Sequence, residues 1–194
     1  MLAIARSKTR DEPVEFIEAS ADALPFGDNE FDAVLCLFGL MFFSDPVGAL
    51  RSFKRLTKAG GSFVATAWAT TQQAPFAGLL AEALAQELPE LRAELLRPFS
   101  LADPDILRQM LEGAGFAGVS VALDRQTSTF ASFEDFWDPI EAGGGRLGQA
   151  YLTLQVDRRE RVRHEVQRQL PRKAEGGAMR LPLEAWVAMG RATR

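Results

Sequence analysis

The chain of 194 residues is 47% hydrophobic and 25% charged, the proportions of one ordinary soluble domain, which exclude a disordered or fibrous protein. Its longest strongly apolar run, Ala33 to Phe43, falls well short of the roughly 18 to 20 residues that a membrane-spanning helix needs. The net charge of −4 is uneven: residues 1–145 carry −10 and residues 146–194 carry +6.

In Met1-Leu2-Ala3-Ile4-Ala5-Arg6 the charge follows the apolar residues, the reverse of a secretory signal. Cys36 is the single cysteine, so no intrachain disulfide can form. A cytoplasmic protein is expected. The basic C-terminal part holds Arg158, Arg159, Arg161 and Arg163, which raises nucleic-acid binding. Val162, Val166 and Leu170 recur every fourth residue beside them, however, and no aromatic stacking residues are interleaved. A solvated helix face is therefore the expectation, and nucleic acid is not.

Val14 to Glu18 is a short β-like run, and Asp32 to Phe38 is a second, almost wholly apolar one, as suits a strand buried on both faces. Asp45-Pro46 reads as an N-cap with proline at the first helical position. Ala49, Leu50, Phe53 and Leu56 follow at helical spacing, and Gly60-Gly61 is expected to close a helix running to about Lys58. Ser62 to Trp68 should then pair in parallel with the Asp32 strand, because a helical crossover joins them. Phe76 to Leu88 marks a further amphipathic helix. Asp103-Pro104 opens another, which Gly115 caps, and a strand from about Val119 to Leu123 follows. Phe133 to Ile140 predicts a short helix, Gly143 to Gly145 a break, and Gln149 to Leu170 a long helix. Leu183 to Met189 fits a closing strand or a helix. The whole is α/β, one domain over 1–194, with helical insertions at 71–100 and 130–180 forming a cap on the substrate side.

Ligands of open parallel sheets bind beyond the carboxyl ends of the strands, which here lead into Ala19–Phe26, Phe38–Asp45 and Ala69–Phe76. Ser20 and Asp22 could hydrogen-bond a nucleoside-like ligand, and an ordinary polar loop turned by Pro25 fits equally well.

The residues Ala23-Leu24-Pro25-Phe26-x-Asp28-x-x-Phe31-Asp32, then Gly39-Leu40-Met41-Phe42-Phe43, Asp45-Pro46 and Arg55 to Gly61, together resemble the class I S-adenosylmethionine-dependent methyltransferases, in the branch near the quinone-biosynthesis enzymes. Similarity continues through Trp68 and Leu111-Glu112-Gly113-Ala114-Gly115-Phe116, and weakly to Trp186. The resemblance implies a Rossmann-like, mostly parallel sheet with helices on both faces, with S-adenosylmethionine as cofactor. Its adenine loop corresponds to Ser20, Ala21 and Asp22, with Ser20 where the family often has aspartate. Leu37, Phe38 and Gly39, where the second strand ends, complete the cofactor-side candidates.

The family also implies an opening strand, a Gly-rich turn and a second strand ending in an acidic residue that holds the ribose. Such a unit takes some 30 or more residues, and 13 precede Val14. The N-terminal strands and the Gly-rich motif are therefore expected to be missing, and binding of the cofactor by this chain alone to be weak. The strands at Val14 and Asp32 would then have open edges, so the Val14 strand is expected to re-pair with the Asp32 strand, or the chain to form a homodimer.

Methyl transfer from a sulfonium rests mostly on proximity and alignment, and no catalytic residue can be assigned. His164 and Tyr151 are the single histidine and tyrosine; either could move a substrate proton, though His164 among arginines fits a solvated role. Cys36 fits an inert buried thiol. Phe42, Phe43, Trp68, Phe136 and Trp137 are candidates for the wall of an apolar cavity or for plain core. No Cys, His or carboxylate cluster has metal-ligand spacing. The leading expectation is methyl transfer to a small, partly apolar acceptor. The alternative is an inactive remnant acting as a binding or dimerisation module. A nicotinamide oxidoreductase has no Gly-x-Gly-x-x-Gly to support it.

Overall fold

The computed structural model describes residues 2–9, 13–21, 23–170 and 178–193. Helix α1 (Leu2–Lys8) precedes strand β1 (Phe31–Leu37), α2 (Pro46–Leu56) and β2 (Thr57–Trp68). Then come α3 (Pro75–Glu87), α4 (Arg92–Leu96), α5 (Pro104–Gly113), β3 (Phe116–Phe130), α6 (Phe133–Glu141), α7 (Gly145–Leu152), α8 (Val156–Gln169) and β4 (Met179–Ala192). The sheet order is β1-β2-β4-β3. The expected parallel pairing holds, with Val34 opposite Phe63 and Cys36 opposite Ala65. Both β2 and β3 pair antiparallel with β4. One ladder is thus parallel and two are antiparallel, which corrects the mostly parallel sheet to a mixed one. The cause is the hairpin-like return of β4 between β2 and β3, which also extends β3 beyond the expected Val119–Leu123 and makes Leu183 to Met189 strand rather than helix.

Helix α2 starts as its sequence dictates, with the Gly48 amide donating to Asp45 Oδ1 at 2.8 Å and Pro46 in the first turn. Its end differs from expectation. Thr57 is already extended and its hydroxyl donates to Phe53 O at 2.7 Å, closing the helix at Leu56. Gly60-Gly61 lies inside β2, at the irregularity where Phe31 pairs with Thr57 but Ala33 with Ser62. Gly60 has φ +81, and a Cβ on Gly61 would meet Asp32 O at 2.7 Å, so both glycines serve the bulge. The long helix expected from Gln149 to Leu170 is two. Leu154, 3% exposed, turns inward between them, and the Arg159 side chain donates to the carbonyls of Leu152 and Leu154, satisfying the broken end.

Val14 to Glu18 is not a strand and does not re-pair with β1. The described part of that stretch makes no ladder, and Phe16 O accepts a hydrogen bond from Arg6. A five-residue run without a partner has nothing to offset its ordering entropy.

One face of the sheet is covered. Phe63, Ala65 and Ala188 pack there with Ala49, Leu50 and Phe53 of α2 and Leu107 and Leu111 of α5. On the opposite face Leu35 and Leu37 are each 61% exposed, and Met189, in register with Val64 and Leu35, is exposed as well. Helices on both faces therefore do not hold along β1 among the described residues. Helices α3, α4 and α6 to α8, called the cap below, form a second core with β4 around Trp137, Leu84, Val162, Val166 and Leu181. The insertion expected at 130–180 lies partly outside the described residues.

The arginines of α8 are drawn into ion pairs that fasten the cap. Glu87 of α3 receives Arg158 at 2.8 Å and Arg161 at 2.9 Å. Hydrogen bonds from Arg161 and then Arg158 hold the Glu87 carboxyl down at about 2 from its ordinary 4.5. Because the folded value is the lower one, this clamp stabilises fully above pH 4.5 and its contribution disappears as pH falls through about 2. Thermal unfolding followed between those pH values should show a steeper loss for the native chain than for Glu87→Gln; parallel profiles would refute the clamp.

Candidate functional site

Beyond the carboxyl ends of β1 and β2 the backbone turns sharply. Phe38 takes φ +51, a conformation a bulky residue rarely adopts. Its amide donates to Thr66 Oγ1 at 3.0 Å and to Thr66 O at 3.2 Å, and its ring stacks on Trp68 with centroids 4.1 Å apart. Backbone strain so held concentrates at sites of function. Leu40–Phe42 then forms one 3-10 turn that leads to α2.

Across this rim lies a cavity of about 350 Å³. Phe42 and Trp68 come from the sheet ends, Ala77 from α3, Leu91 and Leu95 from the turn before α4 and from α4, and Gly144, Gly145 and Leu147 from the start of α7. The charged side chains on its wall are Glu94 and Arg146, 3.6 Å apart. Gly143 to Gly145, expected as a break, does more than separate two helices: a Cβ on Gly144 would meet Pro139 O at 2.6 Å, and Gly145 has φ +63. A larger groove, about 470 Å³, runs between α3 and α8. It is lined by the Glu87 clamp and lies away from the strand ends.

The residues singled out from the sequence separate into groups. Ala21 and Phe38 pack against the same core cluster. Ser20 is exposed and accepts the Ala23 amide in a turn at 3.0 Å, Leu37 is exposed, and Gly39 leaves room beside Cys36 Sγ. Asp22 lies outside the described residues. Phe42 and Trp68 line the cavity, whereas Phe43 meets Phe53 at a tilt, and Phe136 and Trp137 belong to the cap core. Tyr151 is buried in that core, and burial, with Glu141 nearby, raises its phenol above the ordinary value. Burial likewise pushes the Cys36 thiol up. Neither is a ready nucleophile or base at neutral pH. His164 is exposed on α8. Among the described residues no group of three or more His, Cys, Asp or Glu could hold a metal ion, and no helix is long and apolar enough to cross a membrane. Ala77, Leu91, Glu94, Leu95 and Arg146 were not legible as site residues, since they converge from separate elements and carry no local pattern.

Residues 1–65 match a family model described as a methyltransferase domain. A demethylmenaquinone methyltransferase of Renibacterium salmoninarum is 34% identical over 126 residues, 58% of this chain and 52% of that protein. The first third of the chain thus matches a methyltransferase domain, and the resemblance is to the class I S-adenosylmethionine-dependent methyltransferases. A ubiquinone/menaquinone biosynthesis C-methyltransferase of Shewanella frigidimarina is 32% identical over 134 residues, 61% of this chain and 53% of the relative. The chain thus spans about half the length of these curated relatives. Among solved structures, a Bacillus halodurans C-125 protein taken for a methyltransferase aligns over 100% of this chain and 79% of its own, with a TM-score of 0.59 at 19% identity. The [4+2]-cyclase SpnF aligns over 99% of this chain and 62% of its own, with a TM-score of 0.50 at 16% identity. The methyltransferase fold therefore does not by itself name a reaction.

S-adenosylmethionine, the cofactor of this family, is matched in part by the described residues. The Phe38 turn offers an aromatic wall at the strand end. Gly60-Gly61 is spent on the β2 bulge and Gly143 to Gly145 on the cavity wall, so neither forms a glycine cradle for a cofactor at the end of β1.

Proposed function

We propose that this chain carries the acceptor-binding half of an S-adenosylmethionine-dependent methyl transfer to a small, partly apolar molecule. The observation that supports it is the apolar cavity at the carboxyl ends of the parallel strands β1 and β2, where open α/β sheets place their ligands. The resemblance to these methyltransferases supplies the methyl donor. The walls supply orientation and exclusion of water, which is most of what a sulfonium methyl transfer requires. In this reading Trp68 and Phe42 hold the acceptor's apolar body, and Phe38 fixes the Trp68 ring. Ser20, Ala21, Asp22, Leu37, Phe38 and Gly39 are assigned to the cofactor side by the family resemblance. The test is transfer of labelled methyl groups from millimolar S-adenosylmethionine to a panel of phenols and hydroquinones. Slow transfer that Ala77→Trp abolishes by filling the cavity supports the proposal; no transfer to any acceptor sinks it.

The second reading, a binding or dimerisation module, is favoured by β1. Among the described residues its outer edge carries no ladder, and Leu35 and Leu37 stand exposed beside it, a combination that invites strand addition. A second copy related by a two-fold axis would pair β1 with β1. Sedimentation in the micromolar range should then show mass rising with concentration, and Leu35→Lys with Leu37→Lys should return a monomer. A wild-type monomer throughout would reject dimerisation.

A further inference from the structure

The cavity described above is apolar except at one point, where Glu94 and Arg146 are loosely paired. Arg158, Arg161 and Arg163 are each held by at least one hydrogen bond of 2.8 to 2.9 Å to a carboxylate. Arg146 differs. Its contact with Glu94 is an ion pair at 3.6 Å, longer than a hydrogen bond, with the Arg146 side chain 71% exposed and that of Glu94 57% exposed. The two ends of the pair are also unequal in their surroundings. Glu94 is the middle residue of the five-residue helix α4 and is open to water. Arg146 sits in the first turn of α7, where a helix start opposes positive charge. Glu94 is thus solvated without its partner, whereas Arg146 faces a helix start that opposes its charge.

We infer that the acceptor bound in this cavity carries an acidic group, a carboxylate or an equivalent oxyanion, which Arg146 receives at the rim while the apolar body lies against Trp68, Leu91, Leu95 and Leu147. This rests on the reading of the cavity as the acceptor site. A guanidinium offers two parallel N–H donors to a carboxylate, a geometry that Glu94 at 3.6 Å does not satisfy. An incoming carboxylate gains those bonds next to apolar walls that exclude water on one side, and Glu94 remains solvated. A cationic acceptor would meet Arg146 and the α7 N-terminus together, so the opposite sign of ligand is disfavoured. Arg146 on this account determines specificity and takes no part in the methyl transfer.

Calorimetric titration of the 194-residue chain with naphthaleneacetate and with its uncharged analogue naphthaleneacetamide tests this. The two share a flat apolar body and differ in charge. The wild-type chain should bind the acetate about tenfold more tightly than the amide. Arg146→Gln should bring the acetate to the level of the amide without weakening the amide, and Glu94→Gln should tighten the acetate. Equal affinity for the two probes, or an acetate preference that survives Arg146→Gln, overturns the inference and leaves the cavity reading in place. Failure of both probes to bind, or binding untouched by Ala77→Trp, overturns the cavity reading and the inference with it. An unchanged unfolding midpoint for Arg146→Gln, expected for an exposed side chain, shows that the variant is folded.

Discussion

Titration of S-adenosylmethionine into the isolated 194-residue chain should show binding no tighter than millimolar. Among the described residues no strand pairs with the outer edge of β1, where the family resemblance implies the strands that carry the glycine-rich turn and the ribose carboxylate. A hydrogen bond to a charged group contributes about 1.5 to 3 kcal/mol. Two such anchors missing lower affinity by about a hundredfold to ten-thousandfold. The stacked Phe38 and Trp68 rings remain as an apolar wall, which holds a polar cofactor poorly by itself. Micromolar affinity would reject this account and require a cofactor site built from residues other than those named here.

Replacing Trp137 by alanine should destabilise the cap by about 3 to 5 kcal/mol, measured as the shift in a denaturant unfolding curve at constant slope. Trp137 is fully buried, stacks on Phe133 at 5.4 Å, meets Tyr151 edge-on at 5.4 Å and donates its indole N–H to Glu141 at 2.9 Å. The substitution removes both the largest buried side chain of the cap and the donor that Glu141 accepts. Trp137→Phe keeps most of the volume and should cost less than half as much. Because α7, which lines the cavity, packs on this ring through Tyr151, the alanine variant should also weaken naphthaleneacetamide binding at the cavity, although Trp137 does not line it. A loss under 1 kcal/mol would show that the cap collapses around the gap.

Helices and strands whose signals are local were legible in the sequence. Asp45-Pro46 and Asp103-Pro104 start helices because a carboxylate accepts an orphan amide and proline fits the first turn, whatever lies around them. The Phe76 to Leu88 periodicity and the crossover between β1 and β2 are equally local, and so is the motif run from Leu24 to Gly61 that carries the family resemblance. What depends on partners distant in sequence was not legible. Val14 to Glu18 has the composition of a strand, but a strand exists only where a ladder accepts it. Gly60-Gly61 reads as a helix stop, yet the pairing with β1 makes it a bulge. Gln149 to Leu170 reads as one helix, yet the buried Leu154 and the Arg159 side chain divide it. The direction of β4 was open in the sequence because antiparallel return between β2 and β3 is a choice of topology. The cavity was invisible for the same reason. Phe42, Trp68, Leu95, Arg146 and Leu147 have no shared period or spacing, and packing of the cap against the strand ends is what makes them one site.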